Sequence, residues 1–529
     1  MKNIFFSFIS MFLVSCHSPE NISDKKIFRY NEHSGISSLD PAFARTQSNI
    51  WAVHQLFNGL VQMDDTLHVR PDIAKHWDIS DDGLTYTFSL RDDVYFHKHP
   101  AFGTPDSTRT VTAEDFRYSF ARLQDASIAA PGNWILQNVA RYTALNDTVF
   151  QIHLKKNFPP FLGLMTTKYA SVVPREVVEY QGNDFRKNPI GTGAFLFRVW
   201  DENNKLILRR NPKYHESDHQ GNPLPYLDGI AISFLPEKQS EFMALLQRKI
   251  DMVNSIDASY KDELLTAEGV LNPKYSKQFT MTKSPYLNTE YLGIVFDKSN
   301  APLQQPALRK AIQIGFDRQK MIRYLRNNIG IPAYGGFIPQ GLDGHLSETL
   351  YRYDPEQAKQ IVSEYTLQHQ KAPGIRIATD ANYLDICEYI QRELQKIGFD
   401  CAIDLMPSSA LRQSRATLKL PLFRASWIAD YPDAENYLSL FYSKNFVPEG
   451  SNYTHFSNPQ FDRWYEQSLQ TTDLGQRTAL YQRMDSLLMQ HLPVIPVYYD
   501  QTVRFYTKEI ENLTPNPINL LNLKSVKKK

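Results

Sequence analysis

Ser80-Asp81-Asp82-Gly83-Leu84-Thr85-Tyr86-Thr87-Phe88-Ser89-Leu90-Arg91 is the stretch on which the reading of the fold turns. From Thr85 to Leu90 polar and apolar residues alternate, the period-two signature of a half-buried strand. Downstream, Thr112-Ala113-Glu114-Asp115 precedes Phe116, Phe120 and Leu123 at helical spacing, which predicts a helix with Thr112 as its N-cap and Asp115 three residues on. Residues 198–208 read as strand, turn and strand, closed by Asn211-Pro212.

Beyond Gln305 the periodicity becomes helical, with Leu308, Ala311, Ile312 and Gly315 on one face. Asp317 then caps a helix carrying Met321, Ile322 and Leu325. Ile375-Arg376-Ile377-Ala378, a helix over 383–396 and a strand over 400–405 make a β-α-β unit. Ala479, Leu480, Met484, Leu487 and Leu488 mark a late helix. It leads into Pro493-Val494-Ile495-Pro496-Val497-Tyr498-Tyr499, whose prolines suit an edge or crossing strand. Strands and helices are intermixed throughout without internal repeats, so the class is mixed α/β.

The chain has 529 residues, which predicts two or three lobes rather than one domain. It carries 58 basic and 57 acidic residues, a balance that argues against a nucleic-acid binder, which needs a basic surface. The lysines at 524 and 527–529 read as a frayed, solvated terminus.

The first residues differ from the rest. Lys2 supplies a positive start, residues 4–14 are almost wholly apolar, and Leu13-Val14-Ser15-Cys16 closes the segment. Such a run is too short to span a bilayer, for which a helix needs about 20 residues, but suits a signal-peptide core. Its ending resembles the bacterial lipobox, so residues 1–15 are expected to be a signal peptide, Cys16 the acylated first residue, and 16–26 a tether. Cys387 and Cys401 are placed at opposite ends of a helix–strand pair, which predicts two buried free thiols rather than a disulfide.

Signatures of catalysis are missing: no His-Glu-x-x-His, no Gly-x-Ser-x-Gly, no phosphate-cradling Gly-x-x-x-x-Gly-Lys. Gly191-Thr192-Gly193 lacks the rest of a dinucleotide fingerprint and reads as a backbone turn. His97 and His99 are only two potential metal ligands in a loop. No enzyme activity, cofactor or metal is expected.

Several segments in order resemble the family-5 extracellular solute-binding proteins, the dipeptide, oligopeptide and nickel receptors of ABC importers. They are Leu39-Asp40-Pro41, Leu56-Phe57-Asn58-Gly59-Leu60, Pro71-Asp72-Ile73-Ala74 with Ser80 to Arg91, Val111-Thr112-Ala113-Glu114-Asp115-Phe116, Pro189-Ile190-Gly191-Thr192-Gly193, Arg210-Asn211-Pro212, Leu308-Arg309-Lys310-Ala311 and Trp427-Ile428-Ala429-Asp430-Tyr431-Pro432-Asp433. The resemblance spans about 28–513. It implies a two-lobed periplasmic-binding-protein-like fold with an extra domain and hinge closure. Lobe one would comprise 27–54, 185–280 and 500–529, the extra domain 55–184, and lobe two 281–499.

The resemblance further implies that Asp430 pairs with a peptide's α-amino group, a buried ammonium needing a carboxylate partner. Helix capping or an internal arginine are the alternatives, although Asp433 is the better N-cap candidate for the helix after it. Arg415 and Arg424 stand where oligopeptide receptors of this family carry arginines for peptide carboxylates, and solvated surface positions are the alternative. Trp427, Tyr431 and Asn452 are candidate pocket residues, and a place in the core is the alternative for the aromatic ones. Two departures stand out: the connection 97–109 is long for the family, and Ile428 replaces a cysteine that forms a disulfide in some relatives. The expected partners are a short peptide, the permease subunits and, through Cys16, a membrane at the periplasmic or extracytoplasmic face, with the protein itself a monomer. The same fold also serves receptors for nickel chelates, haem, sugars or cell-wall peptides.

Overall fold

The computed structural model describes residues 25–255, 257, 259–296 and 301–529. The signal segment, Cys16 and the tether up to Asp24 lie outside them.

One mixed sheet of eleven strands runs through the molecule. Its order is Asp400–Leu405, Gly374–Thr379, Leu422–Ile428, Phe279–Ile294, Val494–Thr507, Met252–Asn254, Ile27–Asn31, Gly229–Ser233, Lys205–Arg210 and Phe195–Asp201, with Ile331–Pro332 paired beside Val494–Thr507. Two long antiparallel strands, Phe279–Ile294 and Val494–Thr507, join the halves. Residues 279–285 pair with 501–507 next to Met252–Asn254, whereas 289–293 pair with 494–499 next to Leu422–Ile428. Between Pro285 and Thr289 the register slips. There Tyr286, Leu287 and Asn288 stand opposite Asp500, and such a bulge bends a strand and loosens its ladder. Val494–Thr507 is thus a crossing strand, but with neighbours on both sides rather than at an edge; Pro496, opposite Tyr291, is tolerated beside this irregular stretch.

Each half has its own core. On one side Phe28, Tyr30, Trp51, Phe195, Ile230 and Leu521 pack together. On the other, two adjoining cores hold Leu308, Ile312, Ile377 and Leu394, and Tyr291, Phe337, Tyr437 and Phe441. The β-α-β unit forms as its periodicity predicts, with Gly374–Thr379 and Asp400–Leu405 parallel and Leu384–Lys396 between them. Cys387 and Cys401 are buried free thiols.

A separate four-stranded antiparallel sheet, in the order Ala74–Ile79, Thr85–Leu90, Val149–Leu154 and Val139–Asn146, forms a third body. Along Thr85–Leu90 burial alternates residue by residue, with Tyr86, Phe88 and Leu90 inward. Helix Ala113–Gln124 covers that face through Phe116 and Phe120. Asp115 accepts the Thr112 N–H at 2.9 Å and is held in turn by Arg109 at 2.7 Å. Asp317 caps Arg318–Arg326 by accepting the Lys320 N–H at 3.0 Å.

Gly191 and Gly193 form a backbone turn for a steric reason. A Cβ at Gly191 would lie 2.1 Å from the Leu56 carbonyl oxygen, and one at Gly193 would lie 2.4 Å from its carbonyl carbon.

The C-terminal lysines are docked, which corrects the reading of a frayed tail. Lys527–Lys528 pairs with Ile510–Glu511, and Val526 is fully buried. Lys528 reaches both oxygens of the buried Asp251 at 2.7 and 2.8 Å, and Lys524 holds Glu216 at 2.6 Å. The acids that recruit these ammonium groups lie hundreds of residues upstream, so local composition gives no sign of them. Lys528→Ala strands Asp251, and an unpaired buried charge costs about 3–5 kcal/mol. A clear fall in Tm by calorimetry is expected, and an unchanged Tm would contradict this docking.

Candidate ligand-binding cleft

Between the two large lobes, at the bulge, lies a cavity of about 680 Å³. Asn254 and Asp257 face it from one lobe; Tyr286, Arg326, Tyr383 and Asp500 face it from the other and from the hinge. A second cavity of about 530 Å³ shares His33, Gln47, Asn254 and Ser255 with it, so the two form one groove.

Leu422–Ile428 runs beside Phe279–Ile294 and ends at this bulge, with Ile428 opposite Asn288. Beyond it the chain turns through 429–434 into the short helix Glu435–Leu438. The Leu287 carbonyl, next to the cavity-lining Tyr286, accepts the Ala429 N–H at 2.9 Å and the Tyr437 hydroxyl at 2.7 Å. Asn436 then fixes the loop: its amide oxygen accepts the Trp427 indole N–H at 2.9 Å and the Asp430 N–H at 3.1 Å. Its amide nitrogen donates to the Asp430 carboxylate at 3.4 Å.

No Lys, Arg or His among the described residues forms an ion pair with Asp430. The carboxylate is exposed to solvent yet walled by protein on most sides, and that partial desolvation raises its pKa, offset in part by Asn436. It neither caps the following helix nor meets an arginine; Asp433 does both, accepting the Glu435 N–H at 2.9 Å and lying 3.5 Å from Arg477. Asp430 is not in the wall of either cavity; its neighbour Ala429 bonds Leu287, which follows the cavity-lining Tyr286.

The other candidates are placed elsewhere. Arg424 is buried and paired with Glu290, its Nε 3.0 Å from Oε2, and its guanidinium lies over Tyr383. Burial raises the Glu290 pKa and Arg424 offsets it. Diverting Arg424 to a ligand carboxylate would strand Glu290, at a cost of about 3–5 kcal/mol. Arg415 packs 4.3 Å over Tyr453 and 5.8 Å over Phe423, with no carboxylate in ion-pairing range among the described residues. Phe423 lies near the start of its strand and Asp430 beyond the end, so the two groups are roughly 15–20 Å apart along the strand direction.

Asn452 is fully buried and donates to the Phe456 carbonyl at 2.9 Å and the Tyr442 carbonyl at 3.2 Å, holding its own loop. Trp427 is half-buried and shares Asn436 with Asp430. Tyr431 lies outside the groove, its ring among Trp134, Phe158 and Phe161 of the third body.

Sequence reasoning missed Asn436, Glu290, Arg326 and Asp500. Arg326 and Asp500 pair at 2.6 Å at the bulge. An acid opposite an unpredicted bulge and an arginine at a helix end carry no local signal of meeting.

His97 and His99 serve the fold. Burial pushes His97 down to about 4, and the neutral ring sits against the Gly193 carbonyl at 3.1 Å. His99 accepts the Ala101 N–H at 3.1 Å, capping a short helix. Asp72, His215 and Glu216 approach one another, but Asn58 and the Gly59 N–H already engage Asp72, and Gln62 and Lys524 engage Glu216.

Two buried carboxyls near this lobe make stability depend on pH. Glu435, which accepts the hydroxyls of Tyr431 and Tyr465, is pushed up to about 7 by burial. Asp485 is likewise pushed up to about 7. Between the ordinary carboxylate range and about 7 the native state therefore holds protons that the unfolded chain has released. These groups lower stability as pH rises through that window, and their effect levels off above it. Asp64, held at about 2, titrates outside the window. Buried His54 and His97, whose pKa values burial lowers, act in the opposite direction in the same window. The test is therefore a difference: Asp485→Asn is expected to shift the Tm change between pH 5.5 and pH 8 toward greater relative stability at pH 8 than wild type shows. A pH dependence unaffected by that substitution contradicts the assignment.

A mixed sheet with a register slip at its middle, a groove beside the slip and a separate four-stranded sheet make up the frame of this site. Residues 68–448 match the family described as bacterial extracellular solute-binding proteins, family 5 Middle, and the chain belongs to that family. The Probable deoxycholate-binding periplasmic protein YgiS of Escherichia coli (strain K12) is 26% identical over 525 residues, covering 93% of this chain and 92% of the relative. The Periplasmic oligopeptide-binding protein OppA of Salmonella typhimurium is 24% identical over 534 residues, covering 96% and 93%. The solved structure of the periplasmic binding protein DppA from Helicobacter pylori in complex with peptide STSA aligns with a TM-score of 0.77 at 22% identity, covering 95% of this chain and 98% of that one. The family comprises extracytoplasmic binding proteins of transporters, not enzymes. No helix among the described residues is long and apolar enough to cross a membrane.

Proposed function

We propose that the chain is the receptor of an ABC importer, closing two lobes over a short peptide whose α-amino group seats on Asp430. The observation that carries this is the Asp430 carboxylate, raised by partial desolvation, held by an amide and left without a cation. A site so built favours an incoming ammonium, since a charge-assisted hydrogen bond offsets the desolvation of both groups. The printed names of relatives support the ligand class: oligopeptides for OppA, and dipeptides for the binding protein DppE of Bacillus subtilis. The moving bodies are lobe one (27–54, 185–280, 500–529) with the extra domain (55–184), against lobe two (281–499), hinged at the bulge. The receptor works as a monomer that hands its cargo to the permease.

Acylation of Cys16 tethers it to the membrane, each buried methylene contributing about 0.8 kcal/mol. Cys16→Ser is expected to move the protein from the membrane fraction to the soluble one; persistent lipid labelling overturns the anchor. For the ligand, native mass spectrometry of the chain beginning after Cys16 is expected to show a ladder of peptide masses. A single discrete mass of a bile acid, metal chelate or sugar overturns the peptide assignment.

A further inference from the structure

The core of the third body contains one residue that does not belong to it by sequence. Its buried members fall between Ala42 and Val172, with the single exception of Tyr431. That ring comes from the other lobe, is only 7% exposed, and lies 6.5 Å from Trp134, nearly parallel at 30°, and 6.2 Å from Phe158, edge-on at 80°. Gly163 forms the back of the socket: a Cβ there would lie 3.8 Å from the Tyr431 Cβ and 3.9 Å from the Pro432 Cδ.

On its own lobe the loop is rigidly held on both flanks. Asn436 ties Asp430, the Tyr431 hydroxyl donates to Glu435, and Asp433 accepts the Tyr481 hydroxyl at 2.7 Å. The ring therefore projects as a preformed plug and does not need to order on docking.

We infer that Tyr431 is a positioning residue for Asp430: its ring latches the lobes together by entering the Trp134–Phe158–Gly163 socket, so that ligand capture and cleft closure are one coupled event. This rests on the reading that Asp430 takes the ligand's cation. The coupling is reciprocal, because a cation that favours the docked loop is itself bound more tightly when the loop is docked. The ring touches the socket rather than the ligand, so its removal acts on closure.

The spacing supplies the test, since a Cβ–Cβ distance near 3.8 Å is the mean for a disulfide. The double variant Gly163→Cys with Tyr431→Cys, in the chain beginning after Cys16, is expected to cross-link on mild oxidation. Hydrogen exchange at 31–37, 254–255 and 382–386, which face the groove, is then expected to slow about tenfold against the same protein reduced. In the other direction, Tyr431→Ala is expected to speed exchange at those segments by about tenfold, and Tyr431→Phe, which keeps the ring but loses the Glu435 bond, to speed it much less. Failure to cross-link, or equal exchange in the oxidised and reduced forms, overturns the latch. Asp430→Asn separates the two ideas. If it leaves the cross-link intact and retention of trialanine unchanged, the amine site is wrong and the latch stands as a closure device alone.

Discussion

Gly336→Ala is expected to destabilise the protein by about 4 kcal/mol or more, enough to lower Tm by on the order of 10 °C. A Cβ at this position would lie 1.9 Å from Asp485 Oδ2 and 2.4 Å from its Cγ, inside any tolerable contact. Asp485 sits in the middle of helix Leu474–His491 and accepts the N–H groups of Phe337 at 2.7 Å and Ile338 at 3.2 Å. Moving the carboxylate aside leaves both donors buried and unpaired, each at about 1–3 kcal/mol. Phe337 also anchors the core beside the hinge, packing on Tyr291, Tyr437 and Phe441. The loss therefore falls on the lobe that carries the Asp430 loop. Calorimetric unfolding checks it, and a shift within 1 °C contradicts this packing.

Asp430→Asn is the second large effect, and it falls on binding. The substitution keeps the shape and one contact with Asn436 but removes the negative charge on which the incoming ammonium is proposed to seat. A hydrogen bond to a charged group is worth about 1.5–3 kcal/mol, so affinity is expected to fall about 10- to 100-fold. The loop's other anchors, Ala429 on Leu287 and Asp433 on Tyr481, are untouched. Tm is thus expected to move by no more than a degree or two. A large Tm change with unchanged affinity would show Asp430 to be a structural residue.

Much of the fold was legible where physics is local. The alternation over Thr85–Leu90, the cap at Asp317 and the β-α-β unit around Leu384–Lys396 each depend on neighbours within a few residues. The tail was not legible, because Lys528 is ordered by Asp251 and nothing near Lys528 predicts that partner. Arg424 shows the same limit at the site. Its position before Trp427 suggested a ligand role, while its partner Glu290 lies on an adjacent strand that only the sheet brings near. Tyr431 was a pocket candidate with core packing as its alternative, and core is where the ring goes, although into the core of another domain that local spacing does not reveal. The bulge at 286–288 arises from the mismatch of two long strands, which no single strand's residues reveal.

A peptide seated on Asp430 is held by its free amino terminus. That mode of binding is tested most directly by offering ligand-stripped protein an equimolar pool of tri- to pentapeptides, each present with a free and an acetylated amino terminus, and weighing the retained species by native mass spectrometry. Free-amine peptides are expected to be retained and their acetylated twins not, with the discrimination lost in Asp430→Asn. Equal retention of both forms by the wild-type protein would contradict it.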